Sequence, residues 1–286
     1  MNTNGMEVAP MPLWLIPVVA IIALIYLTHP SLRYQKTARW RGQLFAHRGL
    51  HDLDDGIVEN TLPAFEAARD AGFGMELDIQ FSKDGQVVVF HDDDLNRLCG
   101  DGRGVGQLTL QELQVLPLAG HADTHIPTLR QVLDAVDGRT PLLIELKNGP
   151  KNRQLCEALV ELLKDYRGEY IVESFNPLIV AWFRFNAPEV VRGQLVESMQ
   201  GYRPAVSAAA GFCMAGLLLN FLARPDFVAY DANAQRFFSP RFQRFMYRTP
   251  MAAWTVRDPD LARLVKKRNE ICIFETTAAA RAFREG

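Results

Sequence analysis

The sequence predicts an α/β fold: a (β/α)8 TIM barrel preceded by one N-terminal transmembrane helix. Three observations lead there. Eight short apolar stretches each end in polar or charged residues, helical patterns separate them, and 286 residues suit one barrel, which commonly needs about 250. Strand and helix in alternation argue a parallel sheet.

The first element lies at the N-terminus. From Val8 to Leu27 the chain is apolar apart from Pro10, Pro12 and Pro17, about 20 residues, the length that crosses a hydrocarbon core as a helix. A cleaved signal peptide would need a basic region before the apolar run and small residues after it. Here Glu7 is the charged residue upstream, and Tyr26-Leu27-Thr28-His29-Pro30 follows. Residues 1–30 therefore read as a transmembrane segment. The basic linker 31–43, with Arg33, Lys36, Arg39 and Arg41, orients the N-terminus outside and the following domain, 44–286, in the cytoplasm.

The strands expected in that domain are Leu44–His47, Met75–Gln80, Leu142–Lys147, Tyr170–Ser174, Val191–Val196, Phe227–Asp231, Ala252–Val256 and Ile271–Glu275. The helices between them are Leu62–Ala71, Leu129–Val136, Arg153–Tyr166, Leu178–Phe185, Pro240–Tyr247, Pro259–Arg268 and Thr277–Arg284. One further strand, Gln86–His91, breaks the alternation. Only Ser82-Lys83-Asp84-Gly85 separates it from the second strand. A parallel crossover needs a dozen or more residues, so the pair must form an antiparallel hairpin, which sets His91 beside Leu77 and close to Glu76 and Asp78. The Gly-rich stretch 92–125 is too long for a plain loop and reads as an insertion over the barrel mouth. The segment Ala205–Ala223 carries no charge and reads either as an interfacial element at the mouth or as an unusually apolar barrel helix.

Composition narrows the function. A net charge of -2 gives no reason to expect nucleic acid. Cys99, Cys156, Cys213 and Cys272 lack metal-site spacing and read as reduced thiols.

The chemistry-bearing residues fall at strand ends. Glu76 and Asp78 are two apart on one strand and share a face, and Glu145 ends the next parallel strand. Three converging carboxylates would repel one another without a cation between them, and oxygen ligands without cysteine suit Mg²⁺ or Ca²⁺. His47 and His91 each end an apolar strand, and two imidazoles near one phosphate can divide the work of base and acid near neutral pH. Arg48 and Lys147 read as phosphate anchors, with Lys147 alternatively neutralising Glu145. Asn60 or Thr61 reads as a helix cap or as part of the site. Trp254 reads as a pocket wall or a core residue. His51, His121 and His125 read as loop residues. An acidic cluster flanked by two histidines and two cations is the chemistry of metal-assisted phosphodiester cleavage.

In order and spacing, Phe45-Ala46-His47-Arg48-Gly49, Glu59-Asn60-Thr61, Glu76-Leu77-Asp78, Asp84-Gly85, Val89-Phe90-His91-Asp92, Ile126-Pro127-Thr128-Leu129, Glu145-Leu146-Lys147, Ser174-Phe175 and Trp254-Thr255-Val256 resemble the glycerophosphodiester phosphodiesterase family. The resemblance runs from Leu44 to the C-terminus. It implies the barrel fold, a divalent cation, His47 and His91 as the catalytic pair, and Glu59 at the metal site or just behind it. It also implies hydrolysis of glycerophosphodiesters to glycerol 3-phosphate and an alcohol, by water or through a substrate hydroxyl. A lysophospholipase D acting on membrane lysophospholipids is the alternative, and a non-catalytic protein binding phospholipid headgroups a third. The family usually follows its tryptophan strand with a final strand carrying Asp, whereas this chain reads Ile271-Cys272-Ile273-Phe274-Glu275-Thr276, which leaves open whether Glu275 fills that place.

Overall fold

The computed structural model describes residues 12–202, 206–233 and 238–285. Its strands are β1 (Leu44–Ala46), β2 (Gly74–Phe81), β3 (Val87–Val89), β4 (Asp94–Leu95), β5 (Asp101–Gly104), β6 (Leu142–Leu146), β7 (Tyr170–Ser174), β8 (Arg192–Val196), β9 (Phe227–Asp231), β10 (Met251–Val256) and β11 (Ile271–Phe274). Eight of them form a closed parallel barrel in the order β1, β2, β6, β7, β8, β9, β10, β11, with β11 pairing back to β1. The remaining long-range strand, β3, pairs antiparallel with the upper half of β2 through Ile79–Val89, Gln80–Val88 and Phe81–Val87. The hairpin expected from the short Asp84-Gly85 turn is present, and Gly85 supplies the positive φ of 80° that the turn demands.

The N-terminal part holds α1 (Leu15–Thr28) and α2 (Tyr34–Thr37). The barrel carries α3 (Leu62–Asp70) after β1, and the excursion after β3 holds the short α4 (Asn96–Cys99) and α5 (Leu110–Gln114). Around the outside run α6 (Leu129–Val136), α7 (Asn152–Leu163), α8 (Pro177–Asn186), α9 (Ala208–Ala215) with α10 (Asn220–Ala223), α11 (Phe238–Phe242) continued by a π-helical turn Gln243–Tyr247, α12 (Pro259–Lys267) and α13 (Thr277–Glu285). Caps account for several of these starts. Thr128 accepts from Gln131 N at α6, Asn176 from Leu178 N at α8, and Asp258 from Leu261 N at α12.

Side-chain alternation along each strand divides the core in two. One face points out to the helices and packs Met75, Leu77, Ile79, Ile144 and Val172 against them. The other points into the barrel, where Phe45, Leu143, Ile171, Phe227 and Ile271 form a floor closed from below by Trp40. The floor is tight enough to require glycine on β8: a Cβ at Gly193 would lie 2.2 Å from the Phe227 ring. Two residues further up each strand the same inward face reaches the C-terminal rim.

The N-terminal span lies only partly within the described residues. The predicted span begins at Val8, outside the described residues, and the described part is a helix of 14 residues, about 21 Å long at 1.5 Å per residue against a hydrocarbon core of about 30 Å. Among the described residues no helix is long and apolar enough to cross a membrane. The helix ends by docking on the barrel flank. Asn220 Nδ2 and Gln243 Nε2 donate to Thr28 O, and Tyr247 OH donates to Ile25 O, so the carbonyls left over at the helix end are satisfied by barrel side chains. Earlier turns leave Ile16, Val19, Ile21 and Ile22 more than half exposed.

Nor is 31–43 a free basic linker. Arg33 forks onto Asp226, Arg39 pairs with Glu169, and Trp40 plugs the floor at 1% exposure. The apolar segment 205–223, of which residue 205 lies outside the described residues, breaks into α9 and α10 in the layer outside the barrel. Leu217 and Ala223 are buried, and Phe221 stacks near Tyr26 of α1. All four cysteines are free.

Because Trp40 closes the floor, Trp40→Ala should destabilise the domain by about 3–5 kcal/mol, the usual range for emptying a buried aromatic site. Urea unfolding followed by circular dichroism reads this directly. A loss under about 1 kcal/mol would mean that the segment is a tether and not part of the core.

Candidate active site

At the rim, the inward positions change from apolar to charged. His47 follows β1, Glu76 and Asp78 lie on β2, Glu145 on β6, Glu173 on β7, and Glu275 follows β11. With Trp254, Phe175 and Arg48 they line a cavity of about 590 Å³ at the mouth, although Asp78 lies deeper than its wall. Glu76 and Asp78 are two apart on β2, while Asp78 stands in register with Glu145, and Glu145 in turn with Glu173. Carboxylate oxygens of Glu76, Asp78 and Glu145 come within 4.8 Å of one another, and all three residues are buried.

Such a cluster is electrostatically expensive. Burial raises Glu76 well above the ordinary carboxylate range, and the neighbouring Asp78 and Glu145 push it further. Burial likewise pushes Glu145 up to about 7, although Lys147 opposes the rise. Asp78 is the exception. Burial works against its charge, but Lys147, His91 and Arg48 outweigh that and hold it far below the usual range. Lys147 Nζ lies 2.8 Å from Glu145 Oε1 and 3.0 Å from Asp78 Oδ1. Asn60 Nδ2 donates to Asp78 Oδ2 at 2.8 Å. Asp78 Oδ1 is enclosed, and its contact with Lys147 leaves it a further lone pair.

The turn after β1 is shaped to serve this cluster. Arg48 sits at φ 56°, a left-handed conformation unusual for a non-glycine residue, and so turns its backbone N–H onto Glu76 Oε2 at 2.9 Å. Gly49 follows at φ 82°, where a Cβ would lie 2.8 Å from Ala64. Asn60, also at φ 56°, donates its own N–H to Arg48 O.

Each histidine has a carboxylate behind it. His47 Nδ1 lies 3.1 Å from Glu275 Oε2, and His91 Nδ1 lies 2.6 Å from Asp92 Oδ1. A proton held on Nδ1 by the carboxylate leaves Nε2 as the working nitrogen of each ring. Arg257 grips Glu275 through two nitrogens, and Arg97 bridges Asp92 and Glu59. The bond from His47, together with Arg257, holds Glu275 down at about 2. Burial pulls both imidazoles below the ordinary histidine value, against the raising effect of their carboxylates.

Most residues singled out from sequence meet here, with changes of role. Asn60 caps nothing: the α3 cap position is Thr61, without a side-chain cap bond. Glu59 binds Arg48 at 2.7 Å and Arg97, and lies outside the carboxylate triad. Lys147 pairs with Asp78 and Glu145 and is not among the residues that line the main cavity, an arrangement in keeping with its alternative reading as the neutraliser of Glu145. Arg48 does line it. Trp254 forms a wall, edge-on to Phe175 at 5.8 Å. His51 is no mere loop residue. It lines the cavity and clusters with His47 and Glu275. Sequence reading missed Glu173, Arg97 and Arg257. The excursion 92–125 supplies Arg97 to the cavity and carries a small core of its own, with Leu95, Leu98, Val105, Leu108 and Leu113.

Comparison with known proteins gives concordant results. The model of the glycerophosphoryl diester phosphodiesterase family matches residues 47–275. A glycerophosphodiester phosphodiesterase of Caldanaerobacter subterraneus subsp. tengcongensis is 33% identical over 165 residues, covering 54% of this chain and 66% of that one. A lysophospholipase D of Rattus norvegicus is 33% identical over 164 residues, covering 53% and 50%. The aligned part thus spans about half to two thirds of the length of these relatives. Among solved structures, an Oleispira antarctica phosphodiesterase, determined with the product sn-glycerol-3-phosphate, superposes with a TM-score of 0.68 at 22% identity, covering 87% of this chain and 98% of that one.

The electrostatics make a testable demand on the cation-free protein. Glu145 is raised from 4.5 to about 7 on folding, so the folded state holds that proton more tightly than the unfolded one. Its effect is favourable below pH 4.5 and is lost as pH rises through 7. Without divalent cations, Glu145→Gln should therefore gain in Tm relative to the parent between pH 5 and pH 8, and Ca²⁺ or Mg²⁺ at pH 8 should raise the Tm of the parent more than that of the variant. A Tm gap independent of pH would show that the carboxyl is not strained by its neighbours.

Proposed function

The chain belongs to the glycerophosphoryl diester phosphodiesterase family, and from that premise we propose that it hydrolyses glycerophosphodiesters to glycerol 3-phosphate and an alcohol, using a divalent cation and histidine acid–base catalysis. The observation that carries this reading is the buried triad Glu76, Asp78 and Glu145 at one mouth with two carboxylate-backed histidines. The triad fits a hard cation. All its donors are oxygens, and they converge within 4.8 Å. Donors of this type suit Mg²⁺ or Ca²⁺.

When bound there, the cation neutralises phosphate charge and polarises the P–O bonds. The remaining work falls to the protein. Arg48, fixed by Glu59 and lining the cavity, holds a phosphate oxygen. One of His47 and His91, entering as the neutral ring, takes at Nε2 the proton of the attacking water or substrate hydroxyl, and the other, entering as the imidazolium, gives its Nε2 proton to the leaving alkoxide; exchange with solvent restores both rings. Glu275 and Asp92 fix the two rings so that each presents Nε2. Trp254 and Phe175 wall the side of the cavity where a glycerol backbone or leaving alcohol packs. Lys147 and Asn60 keep Asp78 ionised and in place.

A membrane location is part of the proposal. Its support is α1, apolar around its circumference and largely exposed away from its docked end; a helix of this kind is normally covered by a core or by lipid. The cationic residues 33–41 support a cytoplasmic catalytic domain. An exposed apolar helix beside the barrel also favours, as a second reading, the lysophospholipase D activity named for the rat relative.

Replacing His47 or His91 with Ala should lower turnover of glycerophosphocholine by about a hundredfold or more, the scale of losing a general acid or base, with cation binding retained. Chelation should abolish the activity. Parallel product assays on glycerophosphocholine and lysophosphatidylcholine decide between the two substrate readings, and chelator-resistant turnover would sink both.

For location, the full chain should stay with membranes through a high-salt wash, and protease added to sealed cells should spare the catalytic domain. Release by salt alone would refute the anchoring, and digestion from outside the orientation.

A further inference from the structure

Glu173 has no place in the chemistry above, yet it stands beside the triad. It is the penultimate residue of β7, one strand from Glu145 and in register with it. Ile171, two residues earlier, lies in the barrel floor, so Glu173 shares the inward face and lines the same cavity. It is 2% exposed. Among the described residues it makes no hydrogen bond or ion pair, and its Oε2 is fully enclosed. A buried carboxyl without a partner is rare enough to need an explanation.

Charge balance supplies one. Among the described residues, the cations against Glu76, Asp78, Glu145 and Glu173 are Lys147 and Arg48, and Arg48 is shared with Glu59, so the carboxylates outnumber the cations and the excess negative charge suits a divalent ion. Geometry limits how Glu173 takes part, since its oxygens fall outside the 4.8 Å grouping formed by the other three. Ca²⁺ accepts six to eight oxygen ligands and Mg²⁺ keeps several waters, more than three carboxylates provide. We infer that Glu173 is a fourth carboxylate of the cation site, accepting a hydrogen bond from water in the cation's coordination shell and so strengthening cation binding. This rests on the mouth being a divalent-cation site.

The test is calorimetric titration of Ca²⁺ and Mn²⁺ into the full chain and its E173Q and E173A variants, with no substrate present. Loss of a group behind the first ring of ligands typically weakens metal binding about 10- to 100-fold. E173A should show that loss. E173Q should fall between, because its amide oxygen still accepts from water but carries no charge; being nearly isosteric, it decides the matter if E173A does not fold. Cation affinity in both variants equal to the parent's overturns the inference, even if KM rises, since Glu173 would then be a substrate contact. A parent that binds no divalent cation overturns the inference and the cation site together, whereas a parent that binds with unaffected variants removes this inference alone.

Discussion

The mouth of this barrel is built around one unfavourable arrangement, the burial of several carboxyl groups at hydrogen-bonding distances from their neighbours. Isolated, each would be driven to its neutral form. Here the protein divides the problem. Asp78 is kept charged by Lys147, Arg48 and the Asn60 amide, while Glu76 and Glu145 are left with rising proton affinity. Lys147 can do this because it sits two residues above Glu145 on the same strand exit and reaches both carboxylates. The result is a concentration of negative charge that favours a cation.

Everything nearer the solvent serves to keep that arrangement rigid. The left-handed turn at Arg48 gives a backbone N–H to Glu76, and a second left-handed residue, Asn60, ties the α3 entry to the same turn. From there a chain of ion pairs leads outward: Arg48 to Glu59, Glu59 to Arg97, Arg97 to Asp92, and Asp92 to His91. One histidine is thereby linked to Arg48 through alternating charges. The other is tied to the last strand through Glu275 and Arg257. Exposed ion pairs contribute little stability singly; as a connected set around two rings, their value lies in orientation.

Much of this was legible in the sequence for a simple reason. Strand alternation is a local property, so Glu76 and Asp78 declare a shared face by their spacing, and the four-residue gap before Gln86 forces the hairpin that brings His91 alongside. The strands Phe227–Asp231 and Tyr170–Ser174 and the helix Leu129–Val136 coincide with expectation because their apolar patterns are short and bounded by turn residues. Partners that depend on tertiary approach were not legible. Arg97 arrives from an excursion, Arg257 from the loop after β10, and Glu173 looks like any strand Glu until its register with Glu145 is known. His51 was misread for the same reason. Hydropathy counts apolar residues along the N-terminus, but it does not show that the last turn of α1 is held by polar side chains of the barrel.

That last turn ties the two halves of the molecule together. Thr28 O receives Asn220 and Gln243, Arg224 binds His29 O, and Arg33 forks onto Asp226, which also accepts from Arg192 N at the foot of β8. These contacts run from the end of α1 down the flank to the barrel floor, where Trp40 enters. Each uses a backbone carbonyl or a buried carboxylate, so breaking one would leave an unpaired polar group inside. The connection is therefore stiff where an ordinary linker would swivel. A stiff connection transmits orientation: whatever surface covers the apolar turns of α1, the barrel axis keeps a set angle to it. The direction in which the active-site mouth faces is then a property of the fold.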